Sequence, residues 1–243
     1  MVDKVKTIVS DIIEIPEGRI SFLKAVPSYR TDKFGREITV DPKTGKPAKK
    51  RYSMTWLLDP SNPVVQPVIA KIKSEALRIL DLKFGGREGW PKDNPTTGTK
   101  GVLFCFGDAN KLPKVYDGYK DMFYVKVSDT IRPIFGTRRG QSLIFDENDG
   151  QWHILGANGV VTPETVGPDE APFGGAWGRG RIALYVYNNE QAGVNANFHS
   201  VQMLRPDQRF GGGGSRNAAE ELAQMSGDAA PKAAAVSAPD PWD

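Results

Sequence analysis

Five cationic side chains crowd one short stretch of the chain: Lys43, Lys46, Lys49, Lys50 and Arg51. Nothing acidic interrupts them after Asp41. Ammonium and guanidinium groups at that density attract polyanions, and a phosphate backbone is the commonest of these. The plainer reading is a solvated loop that keeps the chain soluble. A second group lies along residues 179–187. Ile182, Leu184 and Val186 share one phase of a period-two pattern, and Arg179, Arg181, Ala183, Tyr185 and Tyr187 share the other. In residues 123–128, Phe123, Val125 and Val127 alternate with Tyr124, Lys126 and Ser128, and Arg132, Arg138 and Arg139 follow. Two arginines and two tyrosines on one strand face make an unusual solvent surface but a sensible strip for phosphates and unpaired bases. Aromatic rings stack on bases for about 1–3 kcal/mol each whatever the base, while Lys and Arg follow the backbone. For each tyrosine the alternative is a second-layer contact beneath a loop.

Catalytic chemistry finds less support. Gly45-Lys46 is followed by Pro47 and is not a phosphate-binding loop, and no Gly-x-Ser-x-Gly elbow occurs. His153 and His199 each sit in an alternating run beside an aromatic residue, which suits strand histidines better than general bases. The single cysteine, Cys105, excludes an internal disulfide and a cysteine-based zinc site. Asp41, Asp146, Glu147, Asp149, Asp169 and Glu170 fall in turn-like stretches. DENDG (146–150) has the wrong spacing for a calcium loop and reads as a plain turn. Gly178-Arg179-Gly180 precedes a strand, so it is no dinucleotide fingerprint. The sequence assigns no catalytic residue, metal ligand or cofactor, although spacing alone does not exclude carboxylates that converge on metal ions.

The elements that must position the basic and aromatic groups are mostly strands. Period-two or continuous apolar runs mark 18–26, 51–58, 102–106, 122–128, 142–145, 151–155, 181–187 and 198–204. Tyr52, Met54 and Trp56 share a phase and read as core. DPKTG (41–45) and DENDG each run from an Asx-turn former to a residue that closes a bulged hairpin. One helix is expected over about 66–80, with Val65, Ile69, Ile72, Ala76 and Ile79 as its buried stripe and Pro67 in its first turn. Strands, one helix, then many strands exclude an alternating parallel α/β sheet. The pattern suits a mainly β, OB-fold-like Greek-key barrel with hairpin insertions.

Composition changes after residue 210. Residues 211–243 hold two basic and five acidic residues, so this Gly/Ala/Pro-rich segment carries −3 and the rest of the 243-residue chain carries +6. The expected organisation is a folded domain over 1–210 and a flexible acidic tail over 211–243 that lacks the apolar area to offset ordering. No apolar run approaches the ~18–20 residues that cross a bilayer. The opening MVDKVKTIVSDIIEIPEG is broken by acids and is not expected to be a secretory signal. A reducing cytoplasm is the expected home.

Several short runs then converge. Phe173–Gly175, the strand Arg179–Tyr187, Gly193-Val194, Val201-Gln202 and the closing Arg209–Gly212 resemble the C-terminal core of a tailed-phage single-stranded-DNA-binding family. GYKDMFYVKVSDTIRPIF resembles its middle strand, and GRISFLKAV with YSMTWLLDP its first strand pair and helix lead-in. The resemblance implies an OB-fold, binding to single-stranded DNA without sequence preference, and a role in phage replication or recombination, with DNA repair alongside. The leading reading is therefore a non-enzymatic binding protein, and the same charges are expected to hold double-stranded DNA as well, more weakly where stacking on unpaired bases matters. The family is distantly similar to the T7-type helix-destabilising protein, whose acidic tail contacts replication partners. Here Asp240, Trp242 and Asp243 stand at the corresponding tip, for phage or host replication and recombination proteins in the bacterial cytoplasm. The competing readings are a metal-dependent phage nuclease or recombination enzyme, and a structural barrel protein. Oligomeric state is not legible.

Overall fold

The computed structural model describes residues 7–31, 34–42, 44–93, 101–116, 118–167, 169–188 and 191–210. Lys43 and the whole segment 211–243, with Asp240, Trp242 and Asp243, lie outside the described residues.

The alternating runs become strands: β1 (Ile13–Ser28), β2 (Arg51–Leu58), β3 (Val102–Phe104), β4 (Phe106–Asp108), β5 (Phe123–Asp129), β6 (Ile134–Gly136), β7 (Ser142–Asp146), β8 (Gln151–Leu155), β9 (Val161–Thr165), β10 (Trp177–Asn188) and β11 (Ala192–Arg205). The apolar run at 102–106 is split at Cys105 into β3 and β4. Strands β6 and β9 carry no period-two signal, because one has three residues and the other is mostly exposed with Pro163 inside it.

β1 is long enough to serve two neighbours. Its first part pairs with β10 and its second part, from Arg19 to Ser28, pairs with β2. β2 continues to β5, and β10 to β11. Residues 102–108 close the ring: β3 lies parallel to β11 and β4 antiparallel to β5. At the switch, Cys105 N donates to Val194 O at 3.0 Å and Cys105 O accepts from Lys126 N at 2.8 Å. The result is an OB-like barrel, with β6 to β9 extending the sheet from the side of β11 that β10 leaves open.

Inside the barrel stand Ile13, Ile15, Ile20, Met54, Trp56, Val125, Ile182, Leu184, Val194 and Phe198. Helix α1 (Gln66–Phe84) adds Ile69, Ile72, Ala76, Ile79 and Leu80 to this core. The helix runs four residues beyond the expected end, since burial continues to Leu80 and the stop is Gly85, whose φ of 74° is a left-handed cap. A smaller cluster of Leu57, Ala109 and Tyr119 forms on the outer side of β2 beneath the 109–122 loop.

The C-terminal strap 206–210 is fastened to β1 and β10. Arg19 donates from Nε to Gly175 O at 3.1 Å and its guanidinium lies 4.2 Å from the Phe210 ring centre. Trp177 Nε1 donates to Asp207 at 2.7 Å. That bond, then the Gln208 amide and the nearby Arg19, hold the Asp207 carboxyl below the usual carboxylate range. Gly175 adopts φ 110°, and a Cβ there would run into the strap backbone at Gln208 and Arg209.

Ile182 and Leu184 are fully buried, as their phase requires. Truncating either to Ala is expected to cost about 2–5 kcal/mol in chemical denaturation. A loss below about 1 kcal/mol would contradict the core placement.

Candidate nucleic-acid interface

Three neighbouring depressions share rim residues and run as one groove over the outer side of the barrel. The first is lined by Phe22, Ser53, Thr55, Lys126, Ser128 and Asn195. Ser53 and Ser128 also line the second, with Lys24, Ser28, Tyr29, Arg30 and Arg51. Arg30 and Arg51 lead into the third, where Lys46 and Lys49 stand on the hairpin between β1 and β2. Six cations thus border a track in which Asp41 is the acidic lining residue.

The hairpin is built by local pairing. Val40 bridges Pro47, Gly45 N donates to Asp41 O at 2.9 Å, and Ala48 N donates to Thr39 O at 2.9 Å. Lys46, Lys49 and Lys50 are exposed on it, and Arg51 is half-buried where β2 begins. Lys50 Nζ stands 5.5 Å from the ring centre of Tyr29, which returns it to the groove floor.

Tyr185 and Tyr187 point away from the core, as the alternation requires, and both are half-buried. Asn195 Nδ2 donates to Tyr185 Oη at 3.0 Å. Tyr187 lies over Gly193, where a Cβ would collide with its hydroxyl. Burial pushes the Tyr187 phenol up, and Arg30 is close enough to oppose that shift. Asn195 also lines the first depression, so its bond to Tyr185 ties the end of β10 to the groove floor.

Arg179 and Arg181 are elsewhere. Buried Ala183 separates them from the tyrosines. They line a second cleft with Glu14, Gln202 and the β6–β7 turn. Arg179 Nε donates to Gln202 at 2.8 Å, and Arg181 pairs with Glu14 at 2.8 Å. Arg138 and Arg139 are exposed on that turn, with Arg139 3.8 Å from Glu170. Arg132 is exposed on the loop between β5 and β6. Tyr124 packs against the small cluster under the 109–122 loop, where burial pushes its phenol up, and exposed Lys126 stands 5.4 Å from its ring centre. The thirteen described candidates thus divide: Lys46, Lys49, Lys50, Arg51, Lys126 and the two β10 tyrosines gather about the groove, the arginines at 138, 139, 179 and 181 lie at or near the second cleft, and Tyr124 and Arg132 belong to neither.

Sequence periodicity missed Phe22, Lys24, Tyr29 and Arg30. Counting by twos from buried Ile20 sends Phe22 and Lys24 inward, but the β1–β2 register shifts between Ser21 and Lys24 and turns both out. Tyr29-Arg30 directly ahead of a basic hairpin was a legible signal.

Among the described residues one cluster joins two carboxylates and a histidine: Asp146, Asp149 and His153 about the β7–β8 turn. Turn bonding accounts for them. Asp146 accepts from Asn148 N at 2.8 Å, while the Gln151 amide and then His153 draw the Asp149 carboxyl down.

A family model described as the Enterobacter phage Enc34 ssDNA-binding protein matches residues 37–230. Among solved structures, the Enc34 single-stranded-DNA-binding protein in complex with ssDNA is 18% identical, with 82% of this chain and 89% of that chain covered and a TM-score of 0.50. The bacteriophage T7 single-stranded-DNA-binding protein gp2.5 is 14% identical over 94% of this chain and all of that one, with a TM-score of 0.44. The first likeness speaks to a shared fold. No curated protein matches the chain.

Cys105 marks the seam that closes the barrel. Its side chain reaches the surface in part, yet burial pushes its thiol up to about 12, with Lys126 pulling weakly the other way. At pH 8 that leaves on the order of one thiolate in ten thousand. Alkylation by iodoacetamide at pH 8 is expected to be far slower than for a free thiol and to become fast in denaturant. Fast labelling of the native protein would show that the seam opens.

Proposed function

The chain belongs to the phage single-stranded-DNA-binding family represented by the Enc34 protein, and on that premise we propose that it binds single-stranded DNA without sequence preference. Membership of such a family makes it a binding protein rather than an enzyme. The observation that carries the reading is the continuous groove from Phe22 and Lys126 past Lys24, Arg30 and Arg51 to Lys46 and Lys49. Cations spaced along a track neutralise successive phosphates, and half-exposed rings beside it offer faces to unstacked bases. A single strand bends into such a groove, whereas a stiff duplex reaches only its cationic rim. Double-stranded DNA is therefore held more weakly. The cleft lined by Arg179 and Arg181, with Arg138 and Arg139 on the turn beside it, extends the positive surface beyond the groove. We place the protein in replication, recombination and repair of phage DNA in the cytoplasm of the bacterial host.

The tail completes the reading. Its −3 charge stands against a +6 body. A Gly-rich segment of about thirty residues has a root-mean-square reach of roughly 30 Å. At that range it competes with DNA for the basic groove at high effective concentration. DNA displaces it and frees Asp240, Trp242 and Asp243 for replication or recombination proteins.

Two measurements test this. Affinity for oligo-dT is expected to fall steeply with salt, with log affinity dropping by ~0.7 per phosphate neutralised in the log-salt plot. A near-zero slope would remove the electrostatic basis. Deleting residues 214–243 is expected to tighten binding at low salt and to abolish partner recruitment while the fold persists. The tightening fades at high salt as screening shortens to a few ångströms. Unchanged low-salt affinity in the truncated protein would refute the competition.

A further inference from the structure

We infer that Phe22 and Tyr116 form a stacking platform for one unpaired base at the end of the groove, a role that rests on the single-strand reading above. Phe22 is the described non-glycine residue whose placement is hardest to explain as packing. Its φ is 48°, in the left-handed region where a bulky side chain is strained. The residue is 54% exposed although its neighbours by alternation, Ile20 and Lys24, belong to a strand with a buried inner face. The register shift between Ser21 and Lys24 is what turns it outward. Bulges of this kind re-aim side chains next to functional sites. Leaving a phenyl ring in water on a strained backbone forgoes burial, so the arrangement needs a compensating role.

The surroundings fix that ring rather than merely tolerate it. Tyr119 is buried, and its hydroxyl donates to Ser21 Oγ at 3.1 Å, one residue from Phe22. Phe22 meets Tyr116 edge to face at 5.1 Å and Tyr119 at 6.3 Å, and the two tyrosines are 5.6 Å apart. The deep ring anchors a triangle whose two outer members stay open, Tyr116 at 42%. Edge-to-face contacts leave ring faces free for a third aromatic plane. Charge selects the occupant. Lys114 Nζ stands 4.9 Å from the Tyr116 ring centre, and Lys126 shares the depression with Phe22. An aromatic ligand joined to phosphate satisfies rings and cations together.

The test compares oligo-dT with an abasic deoxyribose-phosphate strand of equal length. Phe22→Gly removes the ring and suits φ 48°, and Tyr116→Ala removes the second ring from an exposed loop. Each is expected to weaken oligo-dT binding roughly five- to a hundredfold and to leave the abasic strand within about twofold, with Phe22→Trp restoring affinity. Thermal midpoints check folding, and Tyr116→Ala carries the test if Phe22→Gly unfolds. Wild-type affinity for oligo-dT in both variants would overturn the platform and leave the single-strand reading standing. Equal losses on both strands would overturn it too, since the rings would then only shape the backbone path. If the wild-type protein bound neither strand at low salt, the single-strand reading itself would fall and this inference with it.

Discussion

One side chain sets the dimensions of the barrel. Trp56 is fully buried at the centre of β2, between β1 and β5, and its indole N–H finds no acceptor among the described residues. The strands around it give way. A Cβ at Gly18 would lie 3.0 Å from the indole and one at Gly180 would lie 2.8 Å from it. Glycine at both positions lets β1 and β10 close on the ring. With Gly180 inward, Ile182, Leu184 and Val186 must follow it, and Tyr185 and Tyr187 must face out.

The outer side of β2 shows how the barrel limits its own binding surface. Leu57 points outward but is buried, because the 109–122 loop covers it through Tyr119, and Thr55 beside it is buried at the edge of the groove. Ser53, further along the same strand, stays in the groove. The boundary between covered and open strand falls at the Phe22, Tyr116 and Tyr119 rings. Beyond it the β1–β2 hairpin supplies charge through Lys46 and Lys49. Positive charge is thus carried by the rim, and aromatic faces by the floor and ends.

The residues through which the family is visible in sequence serve the fold more than the groove. Phe173-Gly174-Gly175 and Arg209-Phe210 are far apart in the chain yet touch: Arg209 stacks 4.0 Å from the Phe173 ring centre, and Phe210 N donates to Gly174 O at 3.2 Å. Gly193 leaves space for Tyr187, and Val194 accepts the bond that closes the barrel at Cys105. Gln202 bridges Arg179 and the carbonyl of Thr137. These contacts need particular residue types because backbones or rings meet there. A cation on a rim has no such constraint, so Lys24 leaves no motif.

Alternation alone determined a great deal. It placed β2 and β8 with their bounds, assigned Ile182, Leu184 and Val186 to the core and Tyr185 and Tyr187 to the outside, and located the helix to within one turn, because each of these depends on a single face buried against a single neighbour. The composition break after Phe210 was equally local. What only the tertiary structure decided was which outward residues share a surface. Arg179 and Tyr187 lie on one strand face, but a strand advances ~3.3 Å per residue, so eight residues carry them to different sides of a curved barrel. A one-residue bulge turned Phe22 and Lys24 outward against their phase, and chain segments distant in sequence brought Phe22, Lys126 and Asn195 into one depression. Periodicity reports what one strand buries, whereas a groove is made where several strands and loops meet.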